Sequence, residues 1–139
     1  MAKKKPTPNN KIQANTTWYN EGAMKKDILL TEETFIGAGD DYVDFRCDNL
    51  TDYDLIVITY GNLFYIFMVA QQYLDSSYLQ STSQRAGDNV HCWQLAKTSH
   101  DKNEYRIRKY KYVTNLETGD VLTELINITN TPMVIGIKL

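Results

Sequence analysis

The amino-acid sequence predicts an all-β protein built around one core. The chain has 139 residues, of which 42% are hydrophobic and 23% charged, as in ordinary globular proteins. Short runs of β-branched and aromatic residues recur along it, separated by turn-forming residues. Because the runs follow one another without room for crossover helices, we expect about eight antiparallel strands in a sandwich, jelly-roll-like or immunoglobulin-like, or in a barrel.

The N-terminal residues 1–17 differ from the rest in composition. They are rich in Lys, Pro, Asn and Thr, and they predict an extended basic arm on a single β domain at 18–139. Trp18 and Tyr19 stand at the junction, where they could fix the arm to the domain or to a neighbouring subunit. The alternative is a frayed, solubilising terminus. The basic residues of the arm are Lys3, Lys4, Lys5 and Lys11.

Four predicted strands and a return strand occupy the first half of the domain. Tyr42–Cys47 alternates polar and apolar residues, which is typical of a half-buried strand. Asp54–Tyr60 is apolar on both faces, so we expect a central strand. Gly61-Asn62 predicts a two-residue hairpin turn into the return strand at Leu63–Val69. The two remaining strands of this half are Asp27–Thr31 and Thr34–Ile36.

The second half begins with an ambiguous stretch. Apolar residues between 63 and 78 also fall at helical spacing, so the sequence allows one short helix near 70–79. Gln80–Asn89 is polar and predicts a loop, and Gly119 stands in a hairpin loop where a positive φ is expected. The strands predicted after the loop are Val90–Ala96, Glu104–Val113, Val121–Thr129 and Met133–Leu139.

Residue types that support catalysis or metal binding are few. Cys47 and Cys92 form no CxxC pair, and His91 and Cys92, as strand neighbours, point to opposite faces. We therefore expect no catalytic residues, no metal ligands and no cofactor. The six carboxylates between Asp40 and Asp54 could serve calcium or acid–base chemistry, but a solvated acidic rim explains them as well.

The strand Tyr105–Val113 carries the most distinctive pattern. Strand geometry places one set of basic and aromatic residues on a single face. Such a face suits a protein interface, where Tyr and Arg are enriched, or a nucleic-acid backbone. A third interpretation is an edge strand whose charges prevent aggregation. The candidate binding residues on this face are Arg106, Arg108, Tyr110 and Tyr112.

The charge distribution bears on the choice of partner. Four of the 15 basic residues lie in the arm, which leaves 11 basic and 17 acidic residues, a net charge of −6, on the remainder. An acidic body disfavours a genome-facing role. We expect a non-enzymatic structural subunit that binds protein neighbours through its arm and Tyr-rich surfaces in a homo-oligomer or larger assembly. A virion component, such as a decoration, head-auxiliary or joining protein, fits this architecture.

Other functions are weaker alternatives. The first is a nucleic-acid-binding barrel that uses the strand at 105–112 and the lysine arm. A sugar-binding sandwich using Trp18 or Trp93 and an enzyme with its site at Asp40–Asp54 follow. No apolar run approaches the roughly 20 residues of a membrane span, and no signal peptide is evident. We therefore expect no membrane partner and a location in a virion or the host cytoplasm.

Overall fold

The computed structural model describes residues 24–69, 78–99 and 102–139. Within them the chain forms eleven strands and one short 3-10 helix, Leu50–Asp52. The predicted arm residues Lys3, Lys4, Lys5, Lys11, Trp18 and Tyr19 lie outside the described residues. The strands are β1 (Lys25–Ile28), β2 (Phe35–Ala38), β3 (Tyr42–Arg46), β4 (Leu55–Tyr60), β5 (Leu63–Met68), β6 (Tyr78–Gln80), β7 (Gln84–Ala86), β8 (Asn89–Lys97), β9 (Glu104–Thr114), β10 (Val121–Leu125) and β11 (Met133–Lys138).

The strands form two antiparallel sheets. One sheet has four strands in the order β1-β11-β4-β5. The other has seven, in the order β2-β3-β9-β8-β6, with β10 also paired to β9 and β7 to β8. The all-β sandwich is therefore confirmed, and the barrel alternative is wrong because the sheets do not close.

The long strand β9 organises the larger sheet. β8 pairs with it from Tyr105 to Lys111 on one side. On the other side β3 pairs with its first half and β10 with its second half. The partner changes at Lys109, whose N–H donates to the Asp41 carbonyl at 3.4 Å and whose carbonyl accepts the Ile126 N–H at 3.0 Å. β9 is thus a central strand, and the edge-strand interpretation of this segment is wrong.

The core lies between the two sheets and contains large apolar side chains from both. Trp93 is fully buried, with its ring centroid 5.5 Å from that of Tyr60 and 6.1 Å from that of Tyr65. Trp93 therefore cannot serve as an exposed platform for a sugar. The other fully buried side chains are Phe45, Leu50, Ile56, Ile58, Tyr65, Phe67, Cys92, Leu95, Ile107 and Val134.

Turn glycines account for several of the connections. Gly61 has a φ of 61° and joins β4 to β5 with the predicted two-residue turn, because Tyr60 pairs with Leu63. Gly119 has the expected positive φ, 79°. Both turn predictions are confirmed. Gly87, at a φ of 65°, makes a further turn between β7 and β8, within the segment predicted as a loop.

Three predicted elements differ from the structure. The predicted loop at 80–89 contains β7, because Gln84 to Ala86 pair with β8. The strand predicted at Val121–Thr129 ends at Leu125. Beyond it, the Ile128 N–H donates a hydrogen bond to the Asp40 carbonyl. Tyr78 and Leu79 belong to β6 rather than to a helix, and residues 70–77 lie outside the described residues.

Candidate functional site

The outer face of the seven-stranded sheet carries the predicted basic and aromatic residues. Along β9, burial alternates, so that Tyr105, Ile107 and Lys109 point into the core and are buried. The predicted set of Arg106, Arg108, Tyr110 and Tyr112 is half-buried on the opposite side. The structure therefore places all four residues on one face, as the alternation of a strand requires.

Arg106 is held in a fixed geometry by two neighbours on β3. Its Nε donates to Asp44 Oδ1 at 2.7 Å and its Nη2 to Asp44 Oδ2 at 2.9 Å. Its guanidinium carbon lies 3.8 Å from the ring centroid of Tyr42. The hydrogen bonds to Asp44 raise the pKa of Arg106, against the opposing effect of burial. Arg106 is therefore bound within the chain rather than free for a partner.

Tyr112 also has partners within the chain. Its hydroxyl accepts a hydrogen bond from the Gln80 amide, and the Ser83 hydroxyl donates to it at 3.5 Å. These contacts tie β9 to the segment that links β6 and β7. The side chain of Tyr112 therefore helps to hold β9 against β6 and the residues that follow it.

Lys109 is an unexpected feature of the inner face. It is 7% exposed, and its Nζ lies 4.6 Å from the ring centroid of Tyr60. Within the described part of the chain it makes no ion pair. Burial lowers the pKa of Lys109, and the neighbouring Tyr60 only partly offsets this effect. The lysine points inward because the period of β9 leaves it on the same side as Ile107 and Tyr105.

The outer face of the four-stranded sheet is apolar and exposed. In the central row, Ile28 pairs with Ile135, Ile135 with Val57, and Val57 with Ile66. Phe64 is 60% exposed and Met68 is 72% exposed. We call this surface the apolar face. Its apolar residues are Ile28, Leu55, Val57, Phe64, Ile66, Met68, Met133, Ile135 and Ile137, and the register places Thr59 and Lys26 on the same side.

The prediction that β4 is a central strand is confirmed, and only one of its two faces is covered. β4 is central within its sheet, and its inner residues Ile56 and Ile58 are fully buried. Its outer residues Leu55 and Val57 remain partly exposed, so the strand is not covered on both sides. The signal was present in the sequence, because β4 and β5 are apolar at nearly every position while a two-layer sandwich buries only one side of each sheet.

Groups that could support catalysis are buried or dispersed. Cys47 and Cys92 are buried free thiols, and burial raises the pKa of both. Burial, followed by the charges of Lys109 and Lys111, lowers the pKa of His91. Among residues 24–69, 78–99 and 102–139, no three His, Cys, Asp or Glu side chains are grouped to hold a metal ion.

Two further findings concern the chain as a whole. No helix in the described parts of the chain is long and apolar enough to cross a bilayer. Comparison with protein families, with curated protein sequences and with solved structures finds no match to this chain.

Proposed function

We propose that this protein is a non-enzymatic structural subunit that associates with a second copy of itself through the apolar face. The observation that carries the proposal is a sheet surface of large aliphatic, aromatic and Met side chains that faces outward. Monomeric soluble proteins rarely expose apolar patches beyond a few hundred Å², and larger ones mark interaction sites. The virion role inferred from the architecture belongs to the same proposal.

The size of the apolar face suits such an association. Three strands of six residues and one of four span a plane of roughly 20 by 20 Å, given the usual strand spacing and rise per residue. Side chains that stand on a plane have more accessible area than the plane itself. Packing two such faces together therefore buries on the order of 1,200 Å², the lower end of the range for specific interfaces.

The chemistry of the face favours a second copy as its partner. Among the described residues, the apolar face has one charged side chain, Lys26, which pairs with Ile137. The face therefore offers no pattern of charges that a different protein could match. Two twisted sheets pack face to face at about −30°, and identical sheets satisfy this geometry with twofold symmetry. A paired subunit of this kind suits a decoration or joining protein, which is present in many symmetric copies.

A nucleic-acid-binding role has weaker support. Arg106 is already paired with Asp44, and Lys109 is buried in the core. The chain outside the arm also has an excess of acidic residues, with 11 basic and 17 acidic groups. This excess of negative charge would repel a polyanion such as a nucleic acid.

The solution mass of the full chain tests the proposal. We expect the wild-type protein to sediment as a dimer, and the double substitution Phe64→Lys with Met68→Lys to produce a folded monomer. Both positions are on an edge strand and largely exposed, so lysine should be tolerated there. The matched control is Val121→Lys with Leu122→Lys on β10, where exposure is 60% and 61% and the added charge is the same.

The outcomes separate the alternatives. The apolar face is supported as the interface if the Phe64→Lys, Met68→Lys variant on β5 is monomeric while the control variant on β10 stays dimeric. A monomeric wild-type protein, or a β5 variant with unchanged mass, contradicts the proposal. Co-purified nucleic acid that is released at high salt would favour the nucleic-acid alternative. Deletion of 1–17 in the same assay measures what the arm adds, and sedimentation with assembled particles tests the virion role.

A further inference from the structure

A shallow pocket opens on the outer face of the seven-stranded sheet, away from the apolar face. Its volume is about 340 Å³, and it lies over β8 and the first half of β9. Ala96 pairs with Arg106 on one side and with Tyr78 on the other. Because alanine is small, it leaves a depression between these larger neighbours. Gln94 and Arg108, which also pair with each other, line the wall together with Lys97 and Thr98.

Arg108 lines this pocket and has a buried donor without an acceptor among the described residues. Its Nε is buried and donates to no acceptor among the described residues. Its cross-strand neighbours, Tyr42 and Gln94, are both neutral. Arginine stays charged at all ordinary pH values, and a buried donor on a charged group is unfavourable when it has no acceptor. The pocket is therefore lined by a half-buried guanidinium that has no ion-pair partner among the described residues and whose buried Nε has no acceptor among them.

Arg106 differs from Arg108 in this respect. Asp44 occupies two of its nitrogens, at 2.7 and 2.9 Å, and Tyr42 lies against its plane. The Arg106 side chain is therefore held in place at the wall of the pocket, and Asp44 neutralises its charge. Of the two arginines, Arg108 is the one that can bind a ligand without first giving up an ion pair with Asp44.

We propose that this pocket binds a single carboxylate group, with Arg108 as the principal contact. A planar carboxylate matches the fork of a guanidinium and forms charge-assisted hydrogen bonds with it. Gln94 and Tyr78 add a neutral amide and a hydroxyl beside it. The site is independent of the proposed dimer, because it lies on the other sheet.

The surroundings favour a single carboxylate over a polyanion. The neighbouring Arg106 is neutralised by Asp44, so the two arginines do not act together as a double cation for a phosphate chain. The carboxylate could belong to a small acid or to an acidic side chain of a protein, which the probes below distinguish.

The test follows the side-chain Nε–Hε signal of Arg108 by NMR in the full-length chain. The probes are acetate and a blocked glutamate peptide, compared with inorganic phosphate and a single-stranded oligonucleotide at constant ionic strength. We expect a saturable shift with at least one carboxylate probe. A response to acetate identifies a free acid as sufficient, and a response to the peptide alone identifies a protein side chain. The exposed Arg85 on β7 should stay unshifted.

Three variants keep the proposal falsifiable. Arg108→Gln should abolish the response, and Arg85→Gln should preserve it. Ala96→Val retains both arginines but fills the floor of the pocket with a residue that favours strands, and we expect it to weaken binding by about tenfold or more. Unchanged binding in Ala96→Val would overturn the proposal. So would tighter binding of phosphate or oligonucleotide, or a shift that added chloride reproduces.

Discussion

Gly136 lies in the middle of β11, directly beneath the ring of Tyr53. A Cβ atom at this position would stand 2.8 Å from Cγ and Cδ1 and 2.9 Å from Cδ2 of that ring. Carbon atoms rest comfortably at about 3.5–4.0 Å, so the ring would have to withdraw by roughly 0.7 Å. Tyr53 has little freedom to move, because it is 6% exposed and its hydroxyl donates a 2.6 Å hydrogen bond to Asp27 Oδ2.

The substitution Gly136→Ala should therefore destabilise the fold. Overpacking of a core costs about 1–3 kcal/mol. Replacing glycine by alanine recovers about 0.5–1 kcal/mol, because the unfolded chain has less freedom to lose. We expect a net loss of about 1–2 kcal/mol. Gly37 supplies the control, because no atom of the described residues lies within 4 Å of a Cβ placed there and its φ is not left-handed. Gly37→Ala should be neutral or slightly stabilising.

Equilibrium unfolding in urea, at one fixed protein concentration, measures both variants. The Tyr53→Ala background then completes a double-mutant cycle, since removing the ring should remove the penalty of the Gly136→Ala substitution. If Gly136→Ala were as stable as Gly37→Ala, or if the coupling to Tyr53 were below about 0.5 kcal/mol, steric contact with the ring would not be the reason for glycine at this position.

Three further substitutions test the buried polar groups, again by urea unfolding. Lys109→Met should stabilise the fold by about 1 kcal/mol at neutral pH, because it removes a buried charge that has no ion-pair partner among the described residues. Since the folded state lowers the pKa of Lys109, wild-type stability should rise with pH toward the ordinary lysine value of 10.5, and the variant should lack that rise. Tyr65→Phe should be neutral or stabilising, because the Tyr65 hydroxyl is buried without a partner among the described residues. Tyr53→Phe should lower the free energy of unfolding by about 1 kcal/mol, because it removes the hydrogen bond to Asp27. Burial and a carboxylate partner raise the pKa of Tyr53 to about 12, so its contribution is complete below pH 10 and is lost as the pH rises through 12, which ultraviolet titration of the phenol can follow. A wild-type stability curve that is flat between neutral pH and 10.5, or equal losses in the two tyrosine variants, would contradict these expectations.

The hairpin of β4 and β5 and the long strand β9 could be predicted from the sequence because their signals are local. Gly61 supplies the left-handed turn, and the alternation along β9 separates Arg106 from Ile107. The short strand β7 could not be predicted in this way. Gln84 to Ala86 are polar or small, and they form a strand because β8 offers them an open edge. Pairing with a distant partner overrides weak local preference.

In the candidate sites, too, the sequence predicted the local features but not those that depend on distant contacts. The sequence predicted that Arg106 and Arg108 would share a face, but it could not show that Asp44, 62 residues away, binds one of them and not the other. The pairing register of β3 with β9 decides that difference. The inward direction of Lys109 follows from alternation, whereas its lack of an ion-pair partner among the described residues depends on which groups the opposite sheet presents.

The sequence by itself therefore determined the all-β class, several turns and the faces of individual strands, because each depends on residues within a few positions of one another. Only the tertiary structure decided which faces are covered. β4 and β5 are apolar on both sides, and nothing local distinguishes a strand between two layers from one at the surface. Two sheets enclose a single core, so one side of the four-stranded sheet buries Ile56 and Tyr65 while the other exposes Phe64 and Met68. Burial is a property of how layers stack, and it is fixed by contacts between residues that are distant in the chain.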